Sequence, residues 1–240
     1  MGFGAATPAD AHAPAPAPIA QPIKLRAVEA ALALEGVDSI ADLGGVWAVD
    51  GVYTFHALEH ATLRRAVLVD DDITAAVHER AGAHPQLELI EADFGSPEVA
   101  DQVGEIGAVL LFDVLLHQVD PDWSEILERY ARRARAVAIV QPQYLAAEQT
   151  TRLIELGRER YLAQVPKQAE HDALFDRLDE LNPRRGRRWR DVHDVWQWGI
   201  VDEDLRTRMR ALGFCEVHFE DGGQWRGLEA FAARAFVFAR

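Results

Sequence analysis

The chain has 240 residues, 25 of them Lys or Arg against 39 Asp or Glu, and the resulting net charge of −14 argues against a nucleic-acid backbone or an anionic membrane surface as its main partner. That length suffices for a single large α/β domain with its own core, and the lone cysteine, Cys215, makes no disulfide within the chain, which suits a reducing cytoplasm. No apolar stretch approaches the roughly 20 residues that span a bilayer, and the N-terminus lacks the basic and apolar regions of a secretory signal, so the expectation is a soluble, cytoplasmic protein.

Residues 1–22 are dominated by Ala and Pro and read as a disordered or polyproline-like tail, which leaves 23–240 for the folded domain. Lys24 to Leu34 carries apolar residues at helical spacing and stops at Gly36. Five short apolar runs follow: Ser39–Leu43, Ala66–Val69, Leu87–Ile90, Ala108–Phe112 and Ala136–Val140. Amphipathic stretches separate them, around Tyr53–His60, Ile73–Ala81, Pro97–Val103 and Ser124–Arg133. This alternation predicts βαβ units around a parallel sheet buried on both faces. Near the C-terminus Phe214–Glu220 and Phe231–Ala239 are β-rich, and the intervening Asp221-Gly222-Gly223 predicts a turn, hence an antiparallel hairpin at the far edge of the sheet. The whole is an α/β, doubly wound, mostly parallel seven-stranded sheet. About seventy residues, 141–212, form a mainly helical insertion expected to cover a site.

Ligands of an open α/β sheet sit beyond the carboxyl ends of its strands, where the strand order reverses. Here those ends are acidic and small. The first strand closes with Asp42-Leu43-Gly44-Gly45, the second with Asp70-Asp71-Asp72, where a carboxylate can accept both hydroxyls of a ribose. Glu91-Ala92-Asp93-Phe94 ends the third and Phe112-Asp113 the fourth. Taken one at a time these are open to plainer readings, Gly44-Gly45 as a tight turn and Asp70–Asp72 as a helix cap.

Taken in order, the set resembles the class I S-adenosylmethionine (SAM) dependent methyltransferases, a Rossmann-like family, from about Ile40 to Arg240. The resemblance implies that Asp42, Gly44 and Gly45 lie against the methionine part of SAM and that Asp70, with Asp71 beside it, bonds the ribose. It likewise implies that Asp93 and Phe94 hold the adenine, and that Phe112 and Asp113 line the methyl-transfer site. The glycine loop departs from the family's acid-x-Gly-x-Gly-x-Gly, because Val46 and Ala48 stand where glycines are expected and Gly51 follows about three residues later. The implied activity is methyl transfer from SAM to a small molecule, with no nucleic-acid or membrane partner. Two alternatives stay open: an NAD-binding oxidoreductase holding its ribose on Asp70, although no G-x-G-x-x-G is present, and a non-catalytic binding module that keeps the fold.

Other signals compete. His56-Ala57-Leu58-Glu59-His60 matches the H-x-x-E-H zinc pattern, but it falls on the helix expected after the first strand and no distal stretch supplies a third ligand, so no metal is expected. His117, shortly after the fourth strand, is the candidate catalytic base, the alternative being a surface histidine. The basic run Arg184–Arg190 reads as a solvated loop balancing Asp172, Asp176, Asp179 and Glu180, or as a grip on an anionic substrate. Trp196 and Trp198 are expected to pack the cover onto the sheet.

Overall fold

The computed structural model describes residues 20–166, 168–183, 186–192 and 195–240, with the backbone alone at 168–170. Residues 1–19 of the expected tail, and Arg184 and Arg185 of the basic run, lie outside the described residues. Seven strands form one sheet: β1 (Ser39–Leu43), β2 (Arg65–Asp70), β3 (Leu87–Glu91), β4 (Ile106–Phe112), β5 (Ala134–Tyr144), β6 (Cys215–Trp225) and β7 (Leu228–Ala239). Their spatial order is β6-β7-β5-β4-β1-β2-β3. β1 to β5 pair parallel, whereas β7 runs antiparallel to both β5 and β6. The chain leaves β1 toward β2 and β3, then returns to lay β4 and β5 on the other side, which puts the switch point between β1 and β4.

Both faces of the sheet are covered. On one lie helices α1 (Pro22–Leu32), α2 (Val52–His60) and α3 (Ala75–Ala81), burying Ala27, Val28, Phe55 and Val77 against Ile40, Leu68 and Leu110. On the other lie α4 (Pro97–Val103), α5 (Trp123–Ala131) and α8 (Asp202–Ala211), burying Val103, Leu127, Tyr130 and Met209 against Leu43, Val109 and Ile139. Every residue of β1 and β4 is buried, which is why β4 reads as an unbroken apolar run rather than an alternating one.

Several boundaries differ from the sequence expectation for physical reasons. Pro22 opens α1, a position where the missing N–H costs nothing, and the preceding Gln21 N–H donates to the Tyr53 hydroxyl at 3.1 Å. α5 starts one residue earlier than Ser124, because the Asp122 carboxylate accepts from the Ser124 and Glu125 amides. Asp221-Gly222-Gly223 is not the hairpin turn. It is a bulge inside β6, with the Asp221 side chain accepting from Gly223 N, and the turn lies at Arg226-Gly227, both with positive φ.

The insertion is shorter and less helical than expected. β5 runs on to Tyr144, and α8 packs on the main sheet, so the cover spans about 145–201. Among the described residues it holds two short helices, α6 (Arg158–Leu162) and α7 (Gln168–Leu174), plus single 3-10 turns and two-residue bridges. Its own core joins Leu153, Tyr161, Val195 and Trp196 to Tyr144 and Phe231 of the sheet. Trp198 packs instead on the α4, α5 and α8 side and donates its indole N–H to the Gln118 carbonyl. Arg188 and Arg190 pair with Asp179, and Arg187 donates to the Asp120 carbonyl, so the described part of the basic run balances local acids.

Candidate active site

The turn after β1 is held from beneath by Asp42. Its Oδ2 accepts the Thr54 hydroxyl of α2 at 2.7 Å, and it is almost wholly buried. Burial pushes its pKa up to about 6, against the opposing Thr54 bond and the nearby Lys24 charge. Gly45 lies so close that a Cβ there would meet the Asp42 carboxylate at 2.5 Å. Gly44 adopts φ +71, and a Cβ on it would come within 2.7 Å of Val114 and 3.4 Å of the Phe94 ring. The two glycines are thus required by the protein's own close approaches.

The departure from the expected glycine loop has a structural purpose. Residues 46–51 coil into a single turn, with Asp50 N donating to Val46 O at 2.8 Å and Gly51 N to Gly45 O at 2.9 Å. The Val46 side chain is buried in the core on the α1 to α3 side, and its amide donates to Asp70 Oδ2 at 2.8 Å, with the Trp47 amide at 3.4 Å. Asp70, 6% exposed, therefore has one oxygen engaged by this turn, while Oδ1 accepts the Asp72 amide at 3.3 Å. Burial raises its pKa, the three amides counteract that, and neighbouring Asp71, exposed beside it, adds to the rise.

At the β4 tip Asp113, with φ +57, receives the ammonium of Lys24 from α1 at 2.6 Å. That lysine side chain is 6% exposed and its Nζ lies 5.3 Å from the Tyr53 ring and 5.9 Å from that of Phe112, the two rings meeting edge-on. Asp93 accepts the Gly95 amide on Oδ1 at 2.7 Å, and its Oδ2 accepts no bond among the described residues. Phe94 is fixed by its carbonyl, which takes the Tyr130 hydroxyl at 2.8 Å. The structure sets Asp42, Gly44, Gly45, Asp70, Asp93, Phe94, Phe112 and Asp113 at the carboxyl ends of β1 to β4, with contacts joining Asp70 to the turn after β1, Gly45 to Asp42, and Lys24 to Asp113.

His117 lies in a 3-10 turn after β4, its Nδ1 2.9 Å from the Val195 carbonyl of the cover. That contact favours the tautomer with the proton on Nδ1. The H-x-x-E-H residues are engaged otherwise. The His56 and His60 rings stack at 4.1 Å, His56 contacts Glu29, and Glu59 takes Arg80. No group of three potential ligands that could hold a metal occurs among the described residues. No helix among them is long and apolar enough to cross a membrane.

Sequence reasoning missed Lys24, Tyr53 and Thr54 as parts of this site. A lysine on the otherwise apolar stripe of α1, with buried Ala27, Val28 and Ala31, was the available signal.

No protein-family model and no curated protein sequence matches the chain. Solved structures do. The N-terminal domain of EvdMO1 with SAH bound matches at 14% identity and TM-score 0.55, over 90% of this chain and 79% of that one. The 1,6-didemethyltoxoflavin-N1-methyltransferase of Burkholderia thailandensis, bound to 1,6-didemethyltoxoflavin and S-adenosylhomocysteine, matches at 13% and 0.53, over 90% and 78%. The magnesium protoporphyrin IX methyltransferase ChlM of Synechocystis PCC 6803, with bound SAM, matches at 13% and 0.51, over 90% and 77%. The fold is that of the class I, Rossmann-like SAM-dependent methyltransferases.

Proposed function

We propose that the chain binds SAM at the carboxyl ends of β1 to β4 and transfers its methyl group to a small molecule held beneath the cover. The observation that carries this reading is that Asp70 on the Val46 amide, the Gly44-Gly45 turn against Asp42, and the Lys24–Asp113 pair all stand at the carboxyl ends of β1, β2 and β4. The donor set fits the nucleoside part of the cofactor: Asp70 Oδ1 suits ribose hydroxyls, Asp93 Oδ2 an adenine amine, and the Phe94 ring its flat face. When bound, SAM supplies an activated methyl group on a sulfonium. His117 is the candidate base for the proton released by an O–H or N–H acceptor. The cover excludes water and holds the acceptor in line. The acidic surface favours a small-molecule acceptor over nucleic acid, in keeping with the small-molecule methyltransferases among the structural neighbours.

A second reading, a non-catalytic binding module, is favoured by one observation: the Val46 and Trp47 amides already engage Asp70 Oδ2. Titration calorimetry with SAH, SAM and NAD separates the readings. Methyltransferase function expects SAH and SAM to bind and NAD not to. Absence of SAH binding at millimolar concentration favours the module, and binding of NAD alone favours the oxidoreductase.

A further inference from the structure

Trp47 is 81% exposed, and it alone of the six tryptophans stands open to solvent. The turn that carries it, 46–51, holds two non-glycine residues in the left-handed region, Ala48 at φ 60 and Asp50 at φ 46, a conformation that L-residues adopt only at a cost. Bonds on both sides fix that shape. The Val46 and Trp47 amides donate to Asp70 Oδ2, Gly51 N donates to Gly45 O, and Asp50 Oδ1 accepts the hydroxyl of Thr74, the N-cap of α3, at 3.0 Å. The Val46 side chain is buried and that of Trp47 is not, so the turn anchors itself through one and presents the other to solvent. Single exposed apolar residues are ordinary on a protein surface, but a tryptophan held out by a strained and pinned turn is not. Its place is close to Asp70. The Trp47 amide lies 3.4 Å from Oδ2 and its Cα one bond of about 1.5 Å further, so the indole is rooted within about 5 Å of the acid.

We infer that Trp47 is a stacking residue for the nucleoside whose ribose Asp70 holds, its indole folding onto the ligand from the solvent side. The inference rests on the reading of Asp70 as the ribose acid. A hydroxyl bonded to Asp70 Oδ1 brings its sugar and base within the span of an indole rooted that close, and the exposed side chain is unhindered in turning onto them. A flat base offers a π-face whatever its substituents, and stacking removes that face and the indole's from water together. A glycine-rich loop carries no side chain at this point, so the contact belongs to the turn that replaces it. A second copy of the chain is the poorer occupant. Asp71 and Asp72 are exposed beside Asp70, and a partner of net charge −14 is repelled from them.

The test is calorimetry and tryptophan emission on the full chain with SAH and with methylthioadenosine, which has the same nucleoside without the amino-acid end, comparing wild type, Trp47→Phe and Trp47→Ala. Trp47→Ala weakens both ligands at least about fivefold and by the same factor, because the lost contact is to the part they share. Trp47→Phe, which keeps a stacking ring, stays within about threefold of wild type. The emission that Trp47→Phe removes is that of a solvated indole, and in wild type it is quenched or shifted to shorter wavelength when either ligand saturates. The melting temperature of ligand-free Trp47→Ala stays within about 2 °C of wild type, since the removed side chain buries little. Emission indifferent to bound ligand, unchanged affinity in Trp47→Ala, weakening confined to SAH, Trp47→Phe as weak as Trp47→Ala, or a dimer in sedimentation that Trp47→Ala abolishes overturns the inference and leaves the ribose reading standing. Failure of wild type to bind either ligand overturns the ribose reading and this inference with it.

Discussion

Asp42 carries a cost that can be measured. Its carboxyl titrates near 6 in the folded chain against an ordinary 3.8, so between those values the folded state holds more protons than the unfolded one, and stability falls as pH rises. At 1.36 kcal/mol per tenfold change in proton affinity, the penalty reaches ~3 kcal/mol once the group is fully ionised, and about 2 kcal/mol of it develops between pH 4.5 and pH 7.5. Asp42→Asn keeps an oxygen that can accept the Thr54 hydroxyl but cannot ionise. Urea unfolding of both proteins at the two pH values gives the contribution as a difference of differences, in which titrations elsewhere cancel. The variant is expected to gain on wild type by about 2 kcal/mol from the lower to the higher pH. A gap that stays constant with pH, or that narrows, refutes the argument that burial of a charge dominates at this position.

Asp70→Ala should weaken SAH binding by about 1–3 kcal/mol, read by calorimetry, with an unchanged circular dichroism spectrum. Lys24→Met removes the cation from Asp113. Because Asp113 is 35% exposed and rehydrates, the loss should be about 1–2 kcal/mol in denaturant unfolding, below the 3–5 of a fully enclosed pair. Gly44→Ala, forced to φ +71 and into Val114, should cost about 1–3 kcal/mol, visible as a lowered melting temperature.

The central strands were legible because burial on both faces writes them as continuous apolar runs, and the acids at their ends were legible because the runs stop on them. Asp221-Gly222-Gly223 misled because positive φ serves a bulge as well as a turn, and nothing local to those residues tells the two apart. The cover's shape depends on packing against Tyr144 and Phe231, which no periodicity encodes. At the site, the capture of Asp70 by backbone amides is invisible in a sequence, since amides carry no letter. Lys24 was hidden by distance, 89 residues from Asp113.

Helix α1 is made early and placed late. Its apolar residues Ala27, Val28 and Ala31 share a core with Ala235 and Val237 of the last strand, and Arg26 donates to Glu220, 194 positions on, at 2.8 Å. During synthesis the helix therefore has no complete seat until the C-terminal hairpin has left the ribosome, so the ion pair at the β4 tip is among the last contacts to form. Pulse-labelled hydrogen exchange during refolding should find α1 amides protected after those of β1 and β4.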